Sequence, residues 1–236
     1  MPGDPVLIVT GASSGIGAET ARHAAEAGYR LVLAARREDE LQALADELGG
    51  PERAIAVRCD VTEWPDCEAL AAAATEAFGG FDAVLANAGF GAARGFLEDS
   101  TDQWRAMVLT NVLGVAHTIR ATLPHLLEKG TGHILLTSSV AGRRALPGSL
   151  YSATKFAVSA MGESLRQELR QFHDNQRIRV TLISPGMVDT PFFDNRPGPD
   201  KALHDADIAR AVVYALSQPE RVDVNEILVR PTQQAN

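Results

Sequence analysis

Tyr151 and Lys155 stand four residues apart in the stretch Leu150-Tyr-Ser-Ala-Thr-Lys-Phe-Ala157. On a helix that spacing sends both side chains off one face, a turn apart. A free tyrosine, with a pKa near about 10, is a poor proton carrier at neutral pH. A lysine cation within about 4–6 Å favours the phenolate and lowers that pKa by roughly 1–3 units. The phenol then enters the range in which it exchanges a proton with a carbonyl or alcohol oxygen. Taken alone, such a pair is more often an amphipathic coincidence, so its context decides.

A second chemistry-bearing cluster lies near the start of the chain. Val6-Leu-Ile-Val9 is a continuous aliphatic run, as expected of a strand buried on both faces of a parallel sheet. It leads into Thr10-Gly-Ala-Ser-Ser-Gly-Ile-Gly17 and then an Ala-rich helical segment ending near Gly28. Gly11, Gly15 and Gly17 thus occupy a first strand-to-helix turn, where an open α/β sheet places a dinucleotide pyrophosphate. Glycines let the backbone approach phosphate, the helix N-terminus offers unpaired N–H groups, and Ser13 and Ser14 add hydroxyls. The spacing is G-x-x-x-G-x-G, not the commoner G-x-G-x-x-G. The next apolar run, Arg30 to Ala35, ends without the acid that NAD-using Rossmann proteins place there for the ribose hydroxyls. Arg36 and Arg37 follow instead, and a guanidinium pairs with a 2′-phosphate that an acid would repel. NADP(H) is therefore the expected cofactor, with Arg36 as its first contact and Arg37 assisting.

The remaining elements must position these clusters. Helical patterns cover Glu38 to Leu48, Pro65 to Phe78, about 101–129 and about 150–172. Apolar runs at Ala54 to Val57, Asp82 to Leu85, His133 to Thr137, Ile178 to Ile183 and Glu226 to Val229 supply further strands. This alternation predicts an α/β fold: a single Rossmann-type, doubly wound parallel sheet of about seven strands, helices on both faces. One domain over residues 1–236 is expected, with a Pro/Gly-rich loop at about 190–205 closing over substrate. The formal net charge of −8 argues against a nucleic-acid partner. No basic amphipathic segment suggests a membrane surface, and no stretch is expected to reach the length of a membrane span. Cys59 and Cys67 lack metal-site spacing, as do the scattered histidines, so no metal and a cytoplasmic location are expected.

The order and spacing of Thr10 to Gly17, Asn87-Ala88-Gly89, Tyr151-x-x-x-Lys155 and Pro185-Gly186 resemble the classical short-chain dehydrogenase/reductase family over essentially the whole chain. The resemblance implies a nicotinamide-dependent oxidoreductase acting on a small carbonyl or alcohol substrate, such as a ketone, keto acid or hydroxy acid. It implies that Gly11, Ser13, Ser14, Gly15, Ile16 and Gly17 hold the pyrophosphate and adjacent ribose. Asp60 and Val61 match the adenine-contacting pair, and Asn87, Ala88 and Gly89 border the nicotinamide ribose, with Ala86 in place of the usual first Asn. Pro185, Gly186, Val188 and Thr190 match the loop that holds the nicotinamide amide. Asn111 resembles the helix asparagine whose backbone carbonyl holds a water linked to the lysine. Ser139 precedes an x-Ala-Gly as the family's catalytic serine does, whereas Ser138 better satisfies the usual thirteen-residue distance to Tyr151. Strand alternation lets only one face the substrate, and Ser139 is preferred. Phe90, Met187, Phe192 and Phe193 would wall the substrate pocket or simply pack the core. Arg143 and Arg144 would meet an acidic substrate or lie in a solvated loop. A homo-oligomer, dimer or tetramer, is also implied. A sensor or scaffold that binds NADP(H) without turnover is the alternative.

Overall fold

The computed structural model describes residues 3–91, 93, 95–192, 198 and 201–234. All five residues of β1 (Val6–Thr10) are buried, because the strand lies inside the sheet with helices over both faces. Around it stand β2 (Arg30–Ala35), β3 (Ala54–Arg58), β4 (Ala83–Ala86), β5 (Gly132–Thr137), β6 (Ile178–Pro185) and β7 (Glu226–Val229). The seven strands form one parallel sheet in the order β3-β2-β1-β4-β5-β6-β7. The order reverses between β1 and β4, which opens a crevice at the carboxyl ends of those strands.

Alternation divides the apolar residues between two cores. Val6, Ile8, Val84 and Ile134 face one side and pack with α3 (Trp64–Phe78), α5 (Gly114–Lys129) and α6 (Leu150–Gln171). Leu7, Val9, Leu85 and Leu135 face the other, against α1 (Gly15–Glu26), α2 (Glu38–Glu47) and α7 (Asp205–Ser217). The doubly wound architecture is the expected one.

One helix lies where the sequence reading placed none. Helix α7 buries Ile208, Ala209, Val212, Ala215 and Leu216, a stripe at helical spacing, and packs on α1. Asp207 accepts from the His204 backbone N–H at 2.8 Å and so caps its start. The expected closing loop therefore ends at the first residue of this helix.

Another expectation is overturned. The helical run Thr101–Lys129 is 29 residues long, and its most apolar window has a mean hydropathy of 1.2, enough by length and composition to cross a membrane. Burial falls on one side only: Met107, Asn111, Val115, Thr118, Thr122 and Leu126 face inward against the sheet, α3 and α6. A one-sided stripe of this kind also describes a core helix covering a sheet.

His133 on β5 carries a stability prediction. Its Nε2 lies 2.7 Å from Thr181 Oγ1, and that hydroxyl donates to the Val224 carbonyl at 2.6 Å. The Thr181 proton is thus committed, so Nε2–H donates and Nδ1 stays unprotonated, with no partner among the described residues. Burial, with Arg179 nearby, pushes the imidazole pKa down to about 3. An unfolded chain then binds one more proton than the folded one between the free value and about 3, so stability is lost as pH falls through that window. We expect a loss of roughly 2–3 kcal/mol from this group by about pH 4.5. Urea titrations at pH 7 and 4.5 should show a smaller pH slope for His133→Asn; parallel slopes would refute it.

Candidate active site

The glycine turn after β1 is built for close approach. Gly11 and Gly15 take φ of +68° and +55°, the left-handed region that suits residues without a Cβ. A Cβ at Gly17 would lie 2.3 Å from the Gly11 carbonyl oxygen and 2.9 Å from Asn87 Nδ2. The third glycine is therefore required by packing of helix on strand, and Ile16 between the two is half-buried. Ser14 precedes α1 and makes no side-chain hydrogen bond to its first N–H groups. Arg37 reaches this turn, its Nη2 donating to Ser13 Oγ and Ser14 Oγ, each at 2.9 Å. Arg36 is exposed and makes no hydrogen bond or ion pair among the described residues. Arg37 thus lies beside the glycine turn, while Arg36, expected to make the first contact with a 2′-phosphate, stays open to solvent.

Asp60 and Val61 follow β3 on the same edge of the crevice. Asp60 Oδ1 accepts from the Thr62 backbone N–H at 3.0 Å and hydroxyl at 2.8 Å, while Asp66 accepts from the Asp60 backbone N–H. The Val61 carbonyl lies 3.0 Å from His117 Nδ1 on α5.

Three strands are tied together where the sheet order reverses. Thr10 Oγ1 accepts from the backbone N–H groups of Asn87 and Ala88 at 3.0 and 3.2 Å. Asn87 Nδ2 donates to the Thr10 carbonyl, and Asn87 Oδ1 accepts from Thr137 Oγ1, both at 3.1 Å. Thr10 and Thr137 were absent from the sequence-derived site; each is the last residue of its strand, which was the available signal. Gly89 is exposed beside this knot, and a Cβ on it would stand 3.0 Å from Asn111 Oδ1 and 3.7 Å from Lys155 Nζ.

Asn111 sits in a π turn, Leu109–Leu113, between α4 (Thr101–Val108) and α5. It is fully buried; Oδ1 accepts from the Phe90 N–H at 3.0 Å, and Nδ2 donates to the Phe90 carbonyl at 2.8 Å and Thr154 Oγ1 at 3.2 Å. The helix thus widens where this side chain locks the segment after β4 to α6.

Ser139, Tyr151 and Lys155 come together at the carboxyl end of β5. Ser139 lies close enough to the Tyr151 phenol to lower its pKa, while its hydroxyl donates to the Pro185 carbonyl at 3.4 Å and accepts from the Ala141 N–H at 3.1 Å. Ser138 points away, bonded to Ser159 Oγ at 2.8 Å and the Lys155 carbonyl at 3.2 Å. The two serines do face opposite ways, with Ser139 on the tyrosine side. Lys155 is 4% exposed, and its Nζ donates to the Thr137 carbonyl at 2.8 Å and lies 5.7 Å from the Tyr151 ring centre. The expected fall in the phenol's pKa is corrected here. Burial pushes Tyr151 up to about 12, opposed only in part by Ser139, and pushes Lys155 down to about 8. Desolvation outweighs attraction because the ammonium is turned toward a strand carbonyl.

The segment after β6 closes one side. Pro185 and Val188 are buried, and Thr190 Cβ would stand 3.2 Å from a Cβ at Gly15. Gly186 abuts Gln234, whose Oε1 accepts from the Met187 N–H at 3.0 Å, so the C-terminal segment braces this loop. The Phe192 ring stands 5.6 Å from that of Tyr151, inclined at 64°, and the lack of a Cβ at Gly91 lets it approach. Phe90 and Met187 are half-buried near this mouth. Phe193 and residues 194–197, 199 and 200 of the expected closing loop lie outside the described residues. Arg143 bonds Glu226 at 2.7 Å on β7, which directs it to a structural pairing, and Arg144 is exposed. Among the described residues no cluster of His, Cys, Asp and Glu could hold a metal.

Comparison with known proteins agrees with this geometry. The profile of the short chain dehydrogenase family matches residues 5–200. An uncharacterized oxidoreductase of Staphylococcus aureus is 40% identical over 230 residues, covering 97% of each chain. An alcohol dehydrogenase from the archaeon Thermococcus sibiricus, solved with 5-hydroxy-NADP, superposes with a TM-score of 0.89 at 34% identity, covering 98% of each chain. Serine dehydrogenase from Escherichia coli superposes with a TM-score of 0.87 at 30% identity, over 98% of this chain and 100% of that one.

Proposed function

The chain belongs to the short chain dehydrogenase family, and on that premise we propose that it is an NADP-dependent oxidoreductase interconverting a small carbonyl compound and its secondary alcohol. The observation that carries this reading is the meeting of Ser139, Tyr151 and Lys155 at the carboxyl end of β5, tied through Thr137 to Asn87. The cradle suits a dinucleotide: its glycines leave no room for side chains, α1 begins there, and Arg37 offers a cation. Gly11 to Gly17 with Asn87, Ala88 and Gly89 would hold the pyrophosphate and riboses, Asp60 and Val61 the adenine, and Val188 and Thr190 the amide. The bound nicotinamide supplies the hydride.

This chain's own residues do the rest. Ser139 orients and polarises the substrate oxygen with its hydroxyl. Tyr151, held protonated at neutral pH by its burial, gives its phenolic proton to that oxygen, which favours the reductive direction. Lys155 stabilises the phenolate left behind, and Asn111 holds the segment after β4 in place. Phe192, above the phenol, excludes water and limits the substrate to small ketones, keto acids or hydroxy acids, in keeping with the alcohol and serine dehydrogenases among its structural neighbours. Exposed Val108, Leu113 and Phe156, on the helices of one face, support pairing of two copies there. The free Cys59 and Cys67 fit a cytoplasmic enzyme.

The test is loss of NADPH absorbance with small ketones, keto acids and aldehydes. Turnover with at least one class, and a kcat/KM with NADPH at least about tenfold above that with NADH, is expected. Tight NADPH binding without turnover across the panel would instead favour a sensor.

A further inference from the structure

Three acids, Glu38, Asp39 and Glu40, fill the first turn of α2, directly after the two arginines. Helix N-termini favour acids in general, so their presence alone says little. Their placements differ. Glu38 faces Arg58 across the edge of the sheet, with 3.6 Å between Oε1 and Nε. Glu40 instead turns back along the helix to Arg37, 3.0 Å from Oε1 to Nη1. The guanidinium is thus stretched between two anchors: Nη2 spends both protons on Ser13 and Ser14, and Nη1 is held by the Glu40 carboxylate. The pair is solvent-accessible, with side chains 52% and 46% exposed, so its own contribution to stability is small.

We propose that Glu40 sets how strongly the site prefers a 2′-phosphorylated dinucleotide, by competing with that phosphate for the Nη1 side of Arg37. The inference rests on the NADP reading above and goes beyond it by naming a residue that tempers the preference. A phosphate monoester near −2 meets a cation already paired with Glu40 and a carboxylate that repels it. A ribose hydroxyl in the same place carries no charge and is indifferent to both effects. Glu40 is a positioning residue: it acts through Arg37 and touches neither substrate nor nicotinamide.

Isothermal titration with NADP+, NAD+, 2′,5′-ADP and 5′-AMP tests this without turnover. Glu40→Gln should tighten NADP+ and 2′,5′-ADP by about three- to tenfold and leave NAD+ and 5′-AMP within about twofold. In an Arg37→Ala background the same substitution should change every ligand by less than about twofold. Weaker or unchanged NADP+ binding by Glu40→Gln, or equal tightening without Arg37, overturns the proposal. A parent protein that binds 2′,5′-ADP no tighter than 5′-AMP overturns the NADP reading itself, a separate outcome. A stability change without a difference between phosphorylated and plain nucleotides would mark Glu40 as a helix-terminal acid and overturn the proposal as well.

Discussion

Tyr151→Phe should lower kcat for carbonyl reduction by at least about 10²-fold, the scale of a lost general acid, while leaving NADPH affinity within about threefold. The substitution removes one oxygen and keeps the ring that packs against Phe192. The backbone of α6 and the Lys155 contact with Thr137 do not depend on that oxygen. A loss confined to kcat is therefore expected, with normal thermal unfolding as the control. Ser139→Ala should fall in the same direction, because its side chain meets the phenol, whereas Ser138→Ala removes a hydroxyl engaged with Ser159 and should spare the rate. Near-normal activity of Tyr151→Phe would remove the tyrosine from the proton path. The pH profile gives a second check. The phenol stays protonated up to about 12, but Lys155 loses its charge near 8, so the reductive rate should decline above about pH 8.

Lys155→Met should abolish at least about 99% of activity and yet make the protein more stable. The ammonium is buried and, among the described residues, held by a single carbonyl, and burial depresses its pKa from 10.5 to about 8. Between those values the unfolded chain binds the extra proton, so folding is penalised at neutral pH and the penalty fades as pH rises through the window. At pH 7 the penalty is roughly 3 kcal/mol, from which the lost hydrogen bond to Thr137 takes back about 1. We expect a net gain of roughly 1–3 kcal/mol and a Tm higher by about 2–8 °C. The gain should shrink when the melts are repeated at pH 10. A lower Tm at pH 7 would show that the lysine holds the site together instead of straining it.

How far the sequence reaches differs from residue to residue. The continuous aliphatic runs identified the central strands, because a strand buried on both faces has no polar side to confuse its pattern. That only one of Ser138 and Ser139 could face the tyrosine followed from strand alternation, a local rule that tertiary packing leaves intact, whereas the preference for Ser139 came from the family resemblance. Helix α7 was given no element in the sequence reading although Ile208, Val212 and Ala215 carry the spacing; the Pro/Gly-rich stretch before it was read only as far as residue 205. The tyrosine's pKa was read in the wrong direction, since sequence spacing reports neighbours but not desolvation. The choice between Arg36 and Arg37 turns on the path of the chain into α2, which depends on where the helix starts.

The knot of Thr10, Asn87 and Thr137 constrains recombination of this protein with its relatives. Asn87 Nδ2 lies against both Gly11 and Gly17, while its Oδ1 grips Thr137, the residue whose carbonyl holds Lys155. One amide therefore spans the nucleotide half and the reacting half. A chimera that joins one parent's residues up to the second strand to another parent's remainder passes through this junction without owning both sides of it. Crossovers placed between residues 17 and 87 are tolerated only when both parents carry the same Thr, Asn and Thr. Crossovers after residue 137 inherit the junction whole, and what they must still match is the fit of Thr190 on Gly15 and of Phe192 on Gly91.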